Sequence, residues 1–153
     1  MSDTESLSDF GKLKKGEVMN NELRWKQRLK NFEKAYSTFC RILNDSQYST
    51  DSEMVNMALV KSFEFTYELA WNTMKDYLEN EGYDNVDNSK KAIRTAFRAE
   101  LIKDPEVWME MVQKRNLTSH IYNATILKEA VEFIKNKFYP EVEKIIEVFR
   151  ELA

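Results

Sequence analysis

Apolar side chains recur at alternating steps of four and three residues along most of the chain, which is the spacing of amphipathic helices. The first such stripe follows Asn21 and consists of Trp25, Leu29, Phe32, Tyr36, Phe39 and Leu43. The polar run Asn44-Asp45-Ser46 predicts the end of this helix. Residues 1–19 are polar and lack the repeat, so we expect a mobile N-terminal arm before a helical domain over residues 20–153.

A second helix is predicted from a cap at Asp51 or Ser52 to Gly82, because glycine ends helices by adopting the left-handed conformation. Its apolar side chains cover more than one face, as in a central helix with several neighbours. The stripe is Met57, Val60, Glu64, Tyr67, Trp71, Met74 and Leu78, flanked by Phe63, Ala70 and Tyr77. Glu64 is therefore a carboxylate inside an apolar stripe.

Three further helical segments complete the pattern. A short helix is predicted from Ser89 to about Ile102. Its inward-facing residues are expected to be Ile93, Ala96, Phe97 and Leu101. Asp104 followed by Pro105 predicts the start of a fourth helix, and a last helical stretch from about Ala124 to Leu152 is expected to kink or split at Pro140. No strand pattern competes, so the predicted fold class is all-α, an up-and-down antiparallel bundle of about four to five helices.

Composition narrows the class of protein further. A chain of 153 residues fits one domain, and 3 Gly and 2 Pro supply too few turns for a many-stranded sandwich or barrel. The single Cys40 excludes an internal disulfide or a Cys-rich zinc site, and the single His120 excludes a histidine cluster, so we expect no metal and no cofactor. No apolar run approaches ~18 residues and the N-terminus does not resemble a secretory signal, so we expect a cytoplasmic protein without a membrane partner.

Charge is unevenly distributed along the chain, although the net charge is only -3. Residues 51–88 carry nine acidic and two basic side chains, whereas residues 89–118 carry four acidic and seven basic ones. This pattern is not the general basicity of a non-specific nucleic-acid binder, so any contact with nucleic acid has to be local. Lys90, Arg94 and Arg98, spaced by four, form a basic ridge that can track a phosphate backbone. The same ridge is equally consistent with an ordinary exposed face or a dock for an acidic partner.

Arg115 continues the apolar stripe of the predicted fourth helix, because Trp108 and Met111 share its face. A buried guanidinium without a partner is very costly, so Arg115 requires an anion or a carboxylate. Glu64 is one candidate for that carboxylate. Tyr67 is a candidate to line the same pocket. The alternative is a Glu64 that simply reaches water at the end of the bundle. Glu68, one turn after Glu64, is expected to belong to a solvated face. Metal binding by Glu64 and Glu68 is disfavoured, since the Glu-x-x-His signature of di-iron bundles is absent.

His120 follows Arg115 by five residues, about 140° around an ideal helix. The two side chains can converge only if the helix loosens near Thr118-Ser119 or if a second subunit completes the site. Arginine can hold a phosphate with two hydrogen bonds, and histidine can take a proton from a ribose 2′-hydroxyl or give one to the leaving oxygen. Such a pair permits RNA cleavage without a metal. The alternative is structural, with Arg115 paired to a carboxylate and His120 packed at a helix end.

Three blocks of this sequence resemble the nucleotidyltransferase substrate-binding protein family, which belongs to the HEPN superfamily (higher eukaryotes and prokaryotes nucleotide-binding). The blocks are Asn21–Leu43, Phe63–Leu78 and Trp108–Tyr122, and the resemblance covers roughly residues 20–150. It implies an up-and-down helical bundle that forms a homodimer. It also implies a separately encoded minimal nucleotidyltransferase as partner.

The resemblance also implies roles for individual residues. In HEPN toxins the Arg and His of an Arg-x4-His motif are the ribonuclease residues, which match Arg115 and His120, and the polar residue after the arginine matches Asn116. Where the motif extends to Arg-x4-His-x-Tyr, the cognate nucleotidyltransferase transfers AMP to the tyrosine and silences the toxin, and Tyr122 occupies that place. A metal-independent ribonuclease toxin is therefore implied. The alternative that the resemblance leaves open is a non-catalytic substrate-binding subunit of a two-component nucleotidyltransferase.

Overall fold

The computed structural model describes residues 3–48, 52–121 and 123–153, and the side chains of residues 3–19 and of Tyr48 lie outside that description. The helices are α1 (Asp3–Tyr48), α2 (Glu53–Asn80), α3 (Ser89–Arg98), α4 (Pro105–Thr118), α5 (Ala124–Phe133) and α6 (Tyr139–Leu152). A π-helical turn, Ile134–Phe138, joins α5 to α6 without a break. The described chain therefore forms five helical rods and contains no strand, which confirms the predicted all-α class.

The order of contacts between helices shows how the rods run. The pairs between α1 and α2 are Arg24 with Glu79, Arg28 with Asp76, and Ala35 with Thr66. The pairs between α4 and the last rod are Trp108 with Glu141, Glu110 with Lys137, and Lys114 with Phe133. In both sets the residue numbers rise along one helix as they fall along the other. These helices are therefore antiparallel, and the up-and-down bundle predicted from the sequence is confirmed.

Aromatic rings from three rods meet in the core. Phe63 of α2 contacts Phe133 and Phe138 of the last rod edge-on, and Phe39 of α1 contacts Phe138 from the other side. All four of these rings are buried. Edge-to-face contacts of this kind add to the free energy gained by burying the rings, so the centre of the bundle is its best-anchored part.

Local backbone chemistry explains several helix boundaries that the sequence predicted correctly. The Ser52 side chain accepts a hydrogen bond from Val55 N–H at the start of α2, and Asp104 does the same for Val107 at the start of α4. Gly82 follows α2 with φ +94°, the left-handed conformation that ends a helix. The last rod does not split at Pro140, since the helix continues through a π turn over Ile134–Phe138 just before the proline, which has no N–H to donate to the preceding turn.

Other boundaries differ from the prediction. α1 continues to Tyr48 instead of ending at Asn44-Asp45-Ser46, because the Ser46 hydroxyl is buried and donates to the Leu43 carbonyl at 2.6 Å without opening the helix. α1 also begins at Asp3, so the helix includes the segment predicted to be an arm, and the mobility of residues 1–19 stays a prediction. α3 ends at Arg98 and not near Ile102, because Glu100 takes φ +63° and Leu101 N–H returns to the Ala96 carbonyl.

Two side chains predicted to face the core are on the surface. Met57 is 43% exposed near the start of α2, and Phe97 is 47% exposed near the end of α3. Periodicity predicts the buried arc of α3 from Ile93 and Ala96, which are indeed buried, and Phe97 lies just outside that arc. Phe97 is therefore an exposed aromatic side chain on a helix that otherwise buries its apolar side chains.

Candidate functional site

Arg115, in the last turn of α4, is held by two carboxylates of α2. Its Nη1 lies 2.7 Å from Glu64 Oε2, and its Nε lies 3.5 Å from Glu68 Oε1. The Glu64 side chain is only 12% exposed, whereas the Arg115 side chain is 32% exposed. Nε makes no hydrogen bond with any described residue. Because that Nε is buried against Glu68, the guanidinium can reach another anion only through the exposed part of its surface.

The position of Arg115 follows from the packing of α4. Trp108 and Met111 lie on the same face of the helix and are fully buried, so they press this face against the bundle. The Trp108 indole Nε1–H donates to Glu141 of α6 at 3.3 Å. The predicted extension of an apolar stripe by Arg115 is correct, and the carboxylate that physical chemistry requires beside it is Glu64.

Glu68 belongs to this cluster as well, which corrects its interpretation from the sequence as part of a solvated face. Its carboxylate accepts a hydrogen bond from Trp71 Nε1 at 2.9 Å, so it is held in place on the side that faces Arg115. Spacing by four along α2 brings Glu64 and Glu68 to one side of the helix. The signal available in the sequence was that same spacing, which had been weighed only for metal binding.

Tyr67 lies beside the two carboxylates and is buried. Burial raises the pKa of its hydroxyl to about 12, and the nearby Glu68 carboxylate raises it too, while Ser89 and the Arg115 guanidinium act in the opposite direction. The hydroxyl is itself buried beside the Ser89 side chain. At neutral pH it therefore remains a protonated, buried donor close to Arg115. Its proximity to Ser89 also brings the first residue of α3 to the edge of this site.

The other motif residues lie where α4 ends. Asn116 is exposed in the last turn, and His120 is exposed in the turn after the helix, with its N–H bonded to the Leu117 carbonyl at 2.9 Å. The helix ends at Thr118, so the 140° separation of an ideal helix does not apply to His120. Tyr122, the expected AMP acceptor, lies outside the described residues.

The three cations of the predicted ridge are all exposed on α3. Lys90 and Arg94 form no ion pair with a described residue, and the only hydrogen bond of the Arg98 side chain within that part of the chain goes to Thr95 Oγ1 at 3.3 Å. Because α3 begins at Ser89, beside Tyr67, the ridge starts next to the cluster around Arg115.

An open groove of about 730 Å³ lies elsewhere, between α1 and α2. It is lined by apolar side chains such as Phe65 and Leu69, with Lys34 and Lys61 at its edges. It holds none of the motif residues, so we place the candidate chemistry at Arg115. Over the described ranges, no group of three or more His, Cys, Asp or Glu residues is placed to hold a metal ion. Nor does any described helix have the length and apolarity to cross a membrane.

The comparison with protein families identifies the family of the chain. The model of proteins described as nucleotidyltransferase substrate binding protein like matches residues 27–151, which include α2 to α5, all but the last residue of α6, and the whole candidate site. The chain belongs to this family. The resemblance seen in the three sequence blocks is thereby confirmed.

Relatives of this nucleotidyltransferase substrate-binding-like chain have been named and solved. A Haemophilus influenzae protein named probable ribonuclease HepT is 32% identical over 83 residues, or 52% of this chain and 57% of that protein, so the match spans little more than half of the relative. A solved structure from Thermus thermophilus has a TM-score of 0.67 and 26% identity over 78% of this chain and 98% of its own.

A second solved structure shares the fold of this nucleotidyltransferase substrate-binding-like chain. It comes from Haemophilus influenzae and is described as the fold of a substrate binding domain of a nucleotidyltransferase. The TM-score is 0.72 at 23% identity, with 80% of this chain and 98% of the other covered. This likeness shows the fold alone.

Proposed function

We propose that the chain is a metal-independent endoribonuclease of the HEPN type, which acts in the cytoplasm as the toxin of a toxin–antitoxin pair. The observation that carries the proposal is the partly exposed guanidinium of Arg115, which Glu64 and Glu68 hold in place while 32% of its side chain stays exposed. Asn116 and His120 are exposed in the adjoining turn. The name of the ribonuclease relative supports the same interpretation.

The chemistry assigns one task to each residue. Arg115 binds the non-bridging oxygens of the scissile phosphate and stabilises the charge that develops on them. His120 takes the proton of the ribose 2′-hydroxyl, whose oxygen attacks phosphorus while the bond to the 5′-oxygen breaks. The imidazolium then returns its proton to that leaving oxygen, and the products carry a 2′,3′-cyclic phosphate and a 5′-hydroxyl. Asn116 orients one of these reacting groups by hydrogen bonding.

We infer further that two copies of the chain form a homodimer with the site in the cleft between them. A cleft between protomers holds a strand of RNA against both Arg115 and His120, and it supplies a second set of the same residues across the symmetry axis. No metal enters this scheme, because the guanidinium supplies the positive charge and the imidazole handles the proton.

The test is cleavage of single-stranded RNA by the purified chain in excess EDTA. We expect the wild-type protein to produce fragments with cyclic phosphate ends, and His120→Ala to lose the activity by at least about 10²-fold, the usual contribution of a positioned acid or base. Thr125→Ala, exposed in the first turn of α5 and outside the motif, is the surface control for preparation quality. Equal cleavage by wild type and His120→Ala would point to a contaminating nuclease and contradict the proposal.

A second candidate function is suggested by the family itself, whose description is substrate binding for a nucleotidyltransferase. In this alternative the chain is a non-catalytic subunit that presents a substrate, or its own Tyr122, to a cognate minimal nucleotidyltransferase.

The toxin function includes the same partner, which would silence the ribonuclease by transferring AMP to Tyr122, and the subunit function predicts the same modification where Tyr122 is the group presented. After co-expression with an active cognate nucleotidyltransferase, we expect intact-mass spectrometry to show the addition of AMP, which Tyr122→Phe removes. An unmodified wild-type chain would argue against AMP transfer to Tyr122. Modification together with no nuclease activity before modification would favour the binding subunit.

A further inference from the structure

We propose that the exposed face of α3 binds single-stranded RNA, with Phe97 stacking on a base and Lys90, Arg94 and Arg98 contacting the phosphates. This inference rests on the proposed ribonuclease function and deepens it, because it names the form of the substrate and the surface that holds it. Its basis is the combination of an aromatic side chain and three cations on one helix face.

The geometry of α3 places all four side chains together. At 3.6 residues per turn, Lys90, Arg94, Phe97 and Arg98 fall within an arc of about 100°, opposite the buried Ala92 and Ala96. Lys90 and Arg98 are about 12 Å apart along the axis at 1.5 Å per residue. α3 contains no acidic residue, so nothing on the helix itself offsets the charge.

Several other surface cations are paired with carboxylates, whereas Lys90 and Arg94 are unpaired among the described residues and share one helix face. Lys75, Lys137 and Arg150 each lie within 3.2 Å of a carboxylate oxygen. Lys90 and Arg94 pair with no described residue, although Lys91, between them in sequence, pairs with Asp87 at 3.2 Å. The local structure therefore leaves the positive charge of the ridge available to an external polyanion.

Phe97 favours RNA over an acidic protein as the polyanion that binds this face. Its ring is 47% exposed on a helix that buries its neighbouring Ile93 and Ala96 completely. Single-stranded RNA uses both features, since unpaired bases stack on aromatic side chains while the backbone follows a positively charged path. Aromatic and arginine side chains also occur at protein interfaces, so the binding of RNA is tested directly below.

The position of the ridge connects it with the candidate site. The hydroxyl of Tyr67 lies near Ser89, the first residue of α3, and Tyr67 interacts electrostatically with Arg115. A strand whose scissile phosphate is bound by Arg115 can therefore continue onto α3, beginning at Lys90. The ridge would set the length and the unpaired state of the RNA that is cut.

The experiment measures binding without cleavage. The probe is a short fluorescein-labelled single-stranded RNA with 2′-fluoro riboses, which cannot supply the attacking oxygen, and the readout is fluorescence anisotropy at several salt concentrations. For the triple variant Lys90→Ala, Arg94→Ala and Arg98→Ala, we expect the Kd to rise at least about tenfold and the slope of log K against log salt to fall by about 2. For Phe97→Ala we expect a rise of about tenfold with an unchanged slope.

Matched controls remove the same groups elsewhere on the surface. Lys30, Arg41 and Lys128 are exposed and form no ion pair with a described residue, so their triple alanine variant loses the same charge away from α3. Phe65 is 63% exposed on α2 and provides the control for Phe97. We expect both controls to bind within about twofold of wild type, and thermal unfolding checks that every variant is folded.

Three outcomes would overturn the proposal: a ridge variant that binds like the control triple, a Phe97→Ala that binds like Phe65→Ala, or equal losses on double-stranded RNA. Failure of this inference and failure of the proposed function are distinguishable. A wild-type chain that does not cleave RNA but shows the ridge and Phe97 effects would leave the binding surface standing. If the chain cleaves RNA but these variants bind normally, the binding surface on α3 is wrong and the proposed ribonuclease function is retained.

Discussion

Replacing Arg115 with alanine will lower the rate of RNA cleavage by about 10²–10³-fold, the range found when a preorganised donor to a developing negative charge is removed. The physical reason is the geometry of its guanidinium, which is bound to Glu64 at 2.7 Å while 32% of the side chain stays exposed to a phosphate. The measurement is the single-turnover rate on a defined single-stranded RNA in EDTA, with substrate binding followed separately.

The alanine variant has one side effect that needs its own control. It leaves the Glu64 carboxylate, only 12% exposed, without its partner, and an unpaired, poorly hydrated charge destabilises the fold. The double variant Arg115→Ala with Glu64→Gln removes that charge. We expect it to recover stability but not activity. Recovery of cleavage in the double variant would show that Arg115 is structural and that its role in the reaction is wrong.

Two further arginine variants sharpen the comparison. Arg115→Lys keeps the charge but not the planar fork, so we expect it to retain only part of the activity. Arg150→Ala removes an arginine that also pairs with a carboxylate on another helix, Glu33 at 3.2 Å, but outside the candidate site. Its activity should match that of the wild type. An equal loss in Arg150→Ala and Arg115→Ala would indicate a general effect on the bundle.

The parts of this fold that the sequence predicts well are those set by local backbone chemistry. Ser52, Gly82 and the pair Asp104-Pro105 each act on the nearest helical turn, where only a few residues determine the hydrogen bonds. The π turn before Pro140 belongs to the same class, since a missing N–H is a property of the residue itself.

The parts that the sequence does not predict depend on neighbours far along the chain. Periodicity marks the apolar side of a helix but not its edges, so it placed Phe97 in the core, where the structure leaves it half exposed. It also left two alternatives for Glu64 and assigned Glu68 to solvent. Choosing between them required knowing that α4 packs on α2 with Arg115 facing both carboxylates. The pairing of charges across helices is a tertiary property that spacing within one helix cannot contain.

The largest effect on stability is expected from Trp108→Ala, which will lower the free energy of unfolding by about 3–5 kcal/mol. Trp108 is the largest of the fully buried side chains and holds α4 to α6. Removing it opens a cavity between the two helices, and it also withdraws the indole N–H from Glu141, a carboxylate that is itself 8% exposed. The measurement is urea unfolding at a fixed protein concentration, because any dimer would make stability depend on concentration.

Two variants separate the cavity from the lost hydrogen bond. Trp108→Phe retains much of the ring but no donor, and Lys144 still pairs with the other oxygen of Glu141 at 3.2 Å, so we expect a loss of only about 1–2 kcal/mol. Leu117→Ala, on an exposed position of the same helix, should stay within about 0.5 kcal/mol of wild type. A loss below about 1 kcal/mol for Trp108→Ala would mean that α4 is not anchored through this residue. The position of Arg115, two turns further along the same face, would then need another explanation, because a guanidinium can be aimed at a phosphate only by a helix that is itself held in place.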